Sequence, residues 1–413
     1  MNLRLLFLVG FFGVGSLLWA QTETKGDPIR VPLKMGVFDE RSSCGNLMHQ
    51  SVRGIAPLQK VPADQIKSTP KLQNPAYCRV KLGDREVLVI MDVESEAQKA
   101  KLYIDFEGKG LFETLEPVEG VDRRSGDGQY ANFEFGPVTI PESPASFTVS
   151  CFVRKQPNLQ FQSFQFHPRN YWAGKLPVAD GEYSVFFVNG RLGGKFEPAK
   201  LAAGEKAFQK IYQDGATFIG IDFDKNGFLD FQKEVFPLAE LMQVEGKYYQ
   251  VRVADNGSEA QFQEVIPRLG VLDTQCPGLE LFVLSEQCAT LLAANESGKW
   301  ELPAGKYIIR DFELHQQEDG VKWRLQGGNP GSAGFEIKPG EPTVIAFGPP
   351  LVLKYSMASR GGDAVGLDMA LQGQAGETYR PKAERLDRRE TGPKFTIQNE
   401  SGEKLSEGYF QYG

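Results

Sequence analysis

Acidic residues recur at the same spacing in two short segments of this chain of 413 residues. Aligned without a gap, residues 105–113 read DFEGKGLFE and residues 222–230 read DFDKNGFLD. Both have acidic residues at positions 1, 3 and 9, a glycine at position 6 and an apolar residue at position 8. Oxygen ligands at alternate positions around a turn-forming glycine are typical of a calcium-binding loop. We therefore predict a duplicated calcium-type loop, and we call residues 105–113 loop one and residues 222–230 loop two.

Loop two resembles the calcium loop of EF-hand proteins residue by residue. The resemblance implies calcium ligands drawn from side-chain oxygens and one main-chain carbonyl: Asp222, Asp224, Asn226, Phe228, Asp230 and Glu234. Position 12, where an EF-hand has a bidentate glutamate, is Lys233, and Glu234 follows at position 13. Either a bulge brings Glu234 to the ion or water completes the coordination shell.

Loop one departs from the pattern at a different position. Asp105, Glu107 and Glu113 stand at positions 1, 3 and 9, and Glu116 falls at position 12. Position 5 is Lys109, whose ammonium group cannot ligate a cation. We predict that an internal salt bridge replaces the ion in loop one. The alternative for both loops is an acidic turn with solvated carboxylates.

Strand-like sequence precedes both loops. A sensor EF-hand has helices on either side of its loop, whereas residues 101–104 and 217–221 are rich in the β-branched and aromatic residues of strands. We therefore expect a rigid strand–loop element that an ion stabilises, and not a switch that opens a groove.

Strand signals also dominate the rest of the chain. Short apolar runs alternate with turn dipeptides such as Asn189-Gly190 and Asp319-Gly320, which suit tight hairpins. The predicted fold is mostly β: tandem antiparallel β-sandwich-like domains with the two strand–loop calcium-type motifs inserted. We divide the chain after residue 20 into domains at 21–155, 156–270 and 271–413.

The segment 300–307, WELPAGKY, resembles the start of a strand in prealbumin-like sandwiches of the carboxypeptidase-regulatory type. The resemblance covers residues 277–350, and residues 351–413 are predicted to form immunoglobulin-like strands. Similar modules occur in exported bacterial proteins. The chain as a whole resembles the uncharacterised exported β-sandwich proteins of bacteria.

The first 20 residues have the features of a secretory signal peptide. Arg4 is followed by an apolar run from Leu5 to Trp19, and Ala20 is a small residue at the predicted cleavage point. No later segment has the length and hydropathy of a membrane span. We expect an exported protein that is periplasmic, bound at the cell surface or extracellular.

The net charge limits the classes of possible partner, and the cysteine content indicates possible disulfides. The formal net charge of −7 argues against nucleic acid, whose phosphates need clustered Lys and Arg. Five cysteines in an exported chain suggest disulfides. Cys44–Cys78 and Cys276–Cys288 are candidate pairs, and buried thiols are the alternative.

Recognised catalytic motifs are absent from the sequence. The three histidines, His49, His167 and His315, are far apart and match no zinc-binding spacing. We therefore predict an exported, non-enzymatic binding or structural protein with calcium-stabilised β domains. Its expected partner is a cell-surface protein or a polysaccharide. The alternative is a secreted hydrolase of polysaccharide or peptide, with an active site assembled from distant loops.

Overall fold

The structure is a computed structural model of the chain. It describes residues 23–39, 42–94, 99–123, 130–155, 159–178, 181–193, 195–199, 211, 215–318, 320–328, 334–359, 365–385, 394–398 and 401–409. The predicted signal peptide therefore lies outside the described residues.

Strands make up nearly all of the regular structure in the described part of the chain. They are β1 (Glu23–Thr24), β2 (Ile29–Pro32), β3 (Lys34–Val37), β4 (Arg53–Ile55), β5 (Pro75–Leu82), β6 (Arg85–Val93), β7 (Lys99–Asp105), β8 (Val118–Asp122), β9 (Tyr130–Thr139), β10 (Ser146–Arg154), β11 (Gln160–Pro168), β12 (Asn170–Val178), β13 (Gly181–Asn189), β14 (Thr217–Ile221), β15 (Val235–Pro237), β16 (Leu241–Val244), β17 (Lys247–Val253), β18 (Glu259–Ile266), β19 (Leu269–Asp273), β20 (Leu279–Ser285), β21 (Cys288–Leu292), β22 (Lys299–Pro303), β23 (Gly305–Glu318), β24 (Val321–Gly328), β25 (Phe335–Ile337), β26 (Pro342–Val344), β27 (Val352–Ser359), β28 (Val365–Gln372), β29 (Thr378–Arg385), β30 (Lys394–Gln398) and β31 (Lys404–Tyr409). The helices among the described residues are α1 (Gly45–Gln50) and a 3-10 turn at Phe112–Thr114.

Most of these strands pair antiparallel in three large sheets. One sheet has the order β4-β11-β10-β9-β8-β7-β6-β5, and a second has the order β15-β14-β13-β12-β3. The third runs β1-β18-β17-β16-β21-β20-β23-β24-β29-β28-β27, with β2 beside β18 and β25 beside β23. Smaller sheets are formed by β22-β19-β26 and by β30-β31. The predicted mostly-β class is confirmed.

Alternation of apolar and polar residues explains why these segments form strands. In β5 the side chains of Ala76, Cys78, Val80 and Leu82 are buried, while the residues between them are more exposed. Successive side chains of a strand point to opposite faces, so this period of two places one face in the core. By contrast, β14 is buried at every position, as expected for a central strand covered on both faces.

The largest core cluster runs from Val31 to Ala289 along the sequence and includes residues from all three large sheets. A second cluster runs from Leu241 to Tyr379. A third, smaller one joins Leu88, Ile90, Tyr103 and Phe112. Loop one contributes to the third cluster through Phe112, and loop two contributes to the first through Leu229.

The predicted domain boundaries stay predictions, and several strand pairings cross them. β10 and β11 pair along the segments on either side of residue 155. β1 and β2 pair with β18, and the boundary at residue 270 falls inside β19. Residues 277–350, which resemble a prealbumin-like sandwich, contain β20 to β26, while β27 to β31 lie in 351–413.

All five cysteines lie in the described part of the chain, and each is a buried free thiol. The buried-thiol alternative therefore describes this structure, and the two candidate disulfides are not formed. Burial raises the pKa of Cys44 to about 12 and that of Cys276 to about 11. Thiolate chemistry at these positions is therefore suppressed near neutral pH. Among the described residues there is also no helix with the length and apolar character needed to cross a membrane.

Candidate metal centre

Loop two connects two neighbouring antiparallel strands. β14 ends at Ile221, β15 begins at Val235, and the two strands pair through Gly220 and Val235. The strand before loop two is thus confirmed. Leu229, at position 8, packs so closely on Gly220 that a Cβ there would lie 2.2 Å from a methyl group of Leu229. A side chain at position 220 would therefore force the side chain of Leu229 to move.

Two residues of loop two have left-handed backbone conformations. Lys225 has φ 58° and Gly227 has φ 86°, at positions 4 and 6 of the loop. This path turns the chain around the carboxylate of Asp222, whose Oδ1 and Oδ2 accept hydrogen bonds from the N–H groups of Asn226 and Gly227, both at 3.1 Å. The side chain of Asp222 is buried, with 4% of its surface exposed.

Glu234 is the other buried carboxylate of this region, with 3% of its surface exposed. Its Oε1 accepts hydrogen bonds from the N–H groups of Phe223 at 2.7 Å and Asp224 at 3.2 Å. Its Oε2 accepts one from the N–H of Asp230 at 2.8 Å. Since an ionised carboxylate has about four lone-pair sites, acceptor capacity remains for a cation.

Asp222, Asp224 and Glu234 form a group that could hold a metal ion. Each offers one carboxylate oxygen, and the three oxygens lie within 4.8 Å of one another. Two of these carboxylates are buried, and Asp224 is exposed. Hard oxygen ligands of this kind suit a divalent cation such as calcium or magnesium.

The surroundings of Glu234 change its pKa. Burial raises the pKa of Glu234 above its usual range, and the three main-chain N–H bonds oppose that rise. Asp224 also raises the pKa through charge repulsion. A cation between the carboxylates would relieve the same repulsion, so a bound ion and a proton compete for Glu234.

Three of the six predicted ligands lie outside this group. Asn226 donates its side-chain N–H to Asp224 at 2.8 Å and accepts a hydrogen bond from the N–H of Phe228 at 2.7 Å. Asp230 accepts bonds from the N–H groups of Gln232 and Lys233. The side chain of Phe228 points to solvent, with 64% exposed. Ligation by these three residues stays a prediction.

Lys233, which stands where an EF-hand glutamate would be, turns away to form an ion pair. Its ammonium lies 2.9 Å from Oε1 of Glu280 on β20. Burial lowers the pKa of Lys233, but the hydrogen bond to Glu280 and nearby carboxylates outweigh that effect and raise it. The lysine therefore stays charged and paired with Glu280. The next residue, Glu234, supplies the carboxylate that lies near those of Asp222 and Asp224.

Loop one follows the same backbone path as loop two. Asp105 is buried, and its two carboxylate oxygens accept hydrogen bonds from Lys109 at 3.2 Å and Gly110 at 2.7 Å. These donors stand at positions 5 and 6, as in loop two. Left-handed residues again stand at positions 4 and 6, where Gly108 has φ 67° and Gly110 has φ 71°.

Position 8 is also held in the same way in both loops. The N–H of Phe112 donates to the carbonyl of Ser68 at 2.9 Å, and the N–H of Leu229 donates to the carbonyl of Ser43 at 3.0 Å. Both apolar side chains are buried. Each loop is thus tied at position 8 to a separate segment of the chain.

The acidic side chains of loop one are arranged differently. Lys109 forms an ion pair with Glu107, the internal salt bridge predicted from the sequence, and the hydrogen bond from that pair raises the pKa of Lys109. Glu113 and Glu116 are both exposed. Position 13, which is Glu234 in loop two, is Pro117 in loop one.

A second group of ligand-type side chains was not predicted from the sequence. Glu280, Glu313 and His315 offer atoms within 4.8 Å of one another, and the two glutamates are cross-strand partners on β20 and β23. Lys233 already neutralises Glu280, and Nη1 of Arg324 lies 4.0 Å from Glu313. The cavity at this group has a volume of about 30 Å³, which is the space of about one water.

One histidine makes a serine contact of the kind used in nucleophilic catalysis. Ser150 Oγ and His167 Nε2 lie 2.8 Å apart on the neighbouring strands β10 and β11. Burial lowers the pKa of His167. Ser150 Oγ also lies 3.4 Å from Gln165 Oε1, and neither residue lines the 30 Å³ cavity or the larger cavity beside loop two. The pair therefore fits a polar contact between paired strands.

A larger cavity adjoins loop two, with a volume of about 750 Å³. Asp224, Glu234 and Trp300 are among the residues that line it. The pairing of β16 with β21 brings distant segments into its wall, which is why the sequence did not reveal it.

Comparison of the chain with models of protein families, with curated proteins and with solved structures finds no match.

Proposed function

We propose that this protein is an exported, non-enzymatic binding or structural protein in which calcium stabilises loop two and the sheet beside it. The observation that supports this proposal is the convergence of Asp222, Asp224 and Glu234, whose oxygens lie within 4.8 Å of one another. Two of the carboxylates are buried, and a buried charge is costly without a counter-charge. A calcium ion would supply that counter-charge.

The ion would act as a structural brace. Loop two joins β14 to β15, and Leu229 lies in the largest core cluster. A ligand that binds the folded chain and not the unfolded chain stabilises it by mass action. Calcium at loop two would therefore raise the melting temperature of the unit that contains β14 and β15.

The test is a thermal melt of the chain from residue 21 onward in millimolar calcium and in excess chelator. We expect calcium to raise the melting temperature of the wild type, and Asp222→Asn and Glu234→Gln to lose most of that rise. Asp105→Asn is the matched control, because Asp105 is buried and accepts N–H bonds from the same two loop positions. Each variant is compared with itself with and without calcium, so a general loss of stability cancels.

Equal melts of the wild type in calcium and in chelator would overturn the proposal. So would loss of the calcium effect in Asp105→Asn with retention in Asp222→Asn. Magnesium in place of calcium serves as a selectivity control, since magnesium demands a tighter octahedral site.

A further inference from the structure

The cavity beside loop two has the size of a small-molecule site. Its volume is about 750 Å³, and ligand pockets in proteins typically measure about 300–1,000 Å³. Its lining comes from three segments of the chain: loop two and the strand after it (223–236), β16 and the turn after it (243–246), and β21 through to β22 (289–301).

The candidate metal centre faces this cavity. Asp224 and Glu234, two of the three residues of the metal group, line it. Calcium takes six to eight oxygen ligands, more than the group supplies at one oxygen per residue. The remaining coordination positions are open to main-chain carbonyls, to water or to oxygen atoms of a molecule in the cavity.

The charge of the lining disfavours an anionic ligand. Its acidic residues are Asp224, Asp230, Glu234, Glu245 and Glu301. Its basic residues, Lys233 and Lys299, are engaged by carboxylates outside the lining, at 2.9 Å from Glu280 and 3.0 Å from Asp273. Carboxylates accept hydrogen bonds from hydroxyl groups, so the lining suits a neutral ligand rich in O–H donors.

The lining also includes an aromatic residue and other apolar residues. Trp300 is half-buried, and Leu291 and Ala294 are among the apolar members. The indole N–H of Trp300 donates to the carbonyl of Ala293 at 3.0 Å. Because that N–H is the only polar group of the side chain, Trp300 offers the cavity an apolar aromatic surface.

We propose that this cavity binds a neutral carbohydrate, with its apolar ring face on Trp300 and its hydroxyl oxygens completing the coordination of the ion. This inference rests on the proposed calcium centre. Carboxylates of the lining accept the remaining hydroxyl hydrogens. The combination of a hard cation, acceptor groups and an aromatic wall selects hydroxyl-rich ligands over apolar ones.

The test is binding of the chain from residue 21 onward to a printed array of neutral and acidic oligosaccharides, in millimolar calcium and in excess chelator. We expect binding to neutral glycans that requires calcium. Trp300→Ala should weaken it roughly tenfold, as for a central aromatic contact, and Ala294→Trp should weaken it by filling the cavity. Trp323→Ala, on β24 and outside the lining, is the matched control and should retain binding.

The outcomes separate this inference from the proposed calcium centre. If calcium raises the melting temperature but no glycan binds above the level of Trp300→Ala, the carbohydrate site is wrong and the calcium centre stands. Binding that persists in chelator contradicts the bridging ion, and a preference for acidic glycans contradicts the charge argument. If calcium has no effect on the melt and no glycan binds, both proposals fail.

Discussion

Loop one and loop two share a backbone frame and differ in the side chains that surround the position-1 carboxylate. In both, the carboxylate at position 1 accepts N–H bonds from positions 5 and 6, and the apolar residue at position 8 is buried. In loop two the buried Glu234 joins Asp222 and Asp224. In loop one Lys109 pairs with Glu107, and Glu116 is exposed.

The same loop path therefore forms around two different sets of side chains. Main-chain N–H groups satisfy the position-1 carboxylate in both loops, and a core side chain holds each loop to its sheet. What distinguishes a candidate ion site is a further buried carboxylate. Glu234 supplies it, and it lies one position beyond the place that an EF-hand pattern prescribes.

The largest expected effect is loss of the position-8 anchor. Phe112→Ala should destabilise the protein by about 3–5 kcal/mol and Leu229→Ala by about 2–5 kcal/mol, because both remove buried side chains. Denaturant unfolding in chelator measures both. In chelator no ion can order loop two. If Leu229→Ala then left the free energy of unfolding unchanged while Phe112→Ala lowered it, loop two would be ordered by the ion and not by the core contact of Leu229.

The next largest expected effect is a difference in stability loss between substitutions of Gly110 and Gly227, the glycines at position 6 of the two loops. A Cβ on Gly110 would lie 2.1 Å from the carbonyl oxygen of Gln65, whereas a Cβ on Gly227 would meet no atom within 4 Å. Gly227→Ala should cost about 1–2 kcal/mol from the left-handed backbone alone, and Gly110→Ala should cost more. Equal losses of unfolding free energy would show that loop one can move away from the segment of Gln65.

The response to pH should distinguish the loops through Glu234. Its pKa is raised by burial, so without an ion the ionised form costs stability above that pKa, and the cost disappears as the pH falls through it. Calcium binds only the carboxylate form. The calcium-induced rise in melting temperature should therefore shrink as the pH is lowered from neutrality through the raised pKa of Glu234.

Glu116→Gln is the control for this pH series, since Glu116 is exposed and stands at position 12 of loop one. It should leave the pH dependence unchanged, while Glu234→Gln should remove most of it. A calcium effect that stays constant across the range would exclude Glu234 as a ligand.

The smallest expected effect is that of Lys109→Asn, which gives loop one the position-5 residue of loop two. The ion pair that it removes is exposed, and such pairs contribute little. We expect almost no change in melting temperature and no gain of calcium binding, because loop one has Pro117 where loop two has Glu234. A second calcium ion in this variant would show that Lys109 alone blocks loop one.

The sequence was sufficient to predict the mostly-β class and the strands before both loops, because both depend on local patterns. Burial in β5 has a period of two, and β14 coincides with the predicted strand at 217–221. The salt bridge between Lys109 and Glu107 was also predictable, since the two residues are neighbours on one turn.

Features that depend on pairing between distant strands could not be predicted. Glu280 meets Glu313 only through the register of β20 and β23, and the cavity wall requires the parallel pairing of β16 and β21. The five cysteines suggested disulfides, but each is buried as a free thiol. Sequence spacing does not show which side chains the sheets bring together.

The most direct test of the central claim is calorimetric titration of calcium into the chain from residue 21 onward, at concentrations that cover a dissociation constant of about 10⁻⁴–10⁻³ M. We expect one ion per chain for the wild type and for Asp105→Asn, and none for Asp222→Asn. Absence of binding to the wild type would contradict a calcium site at loop two. So would an ion that Asp222→Asn retains and Asp105→Asn loses.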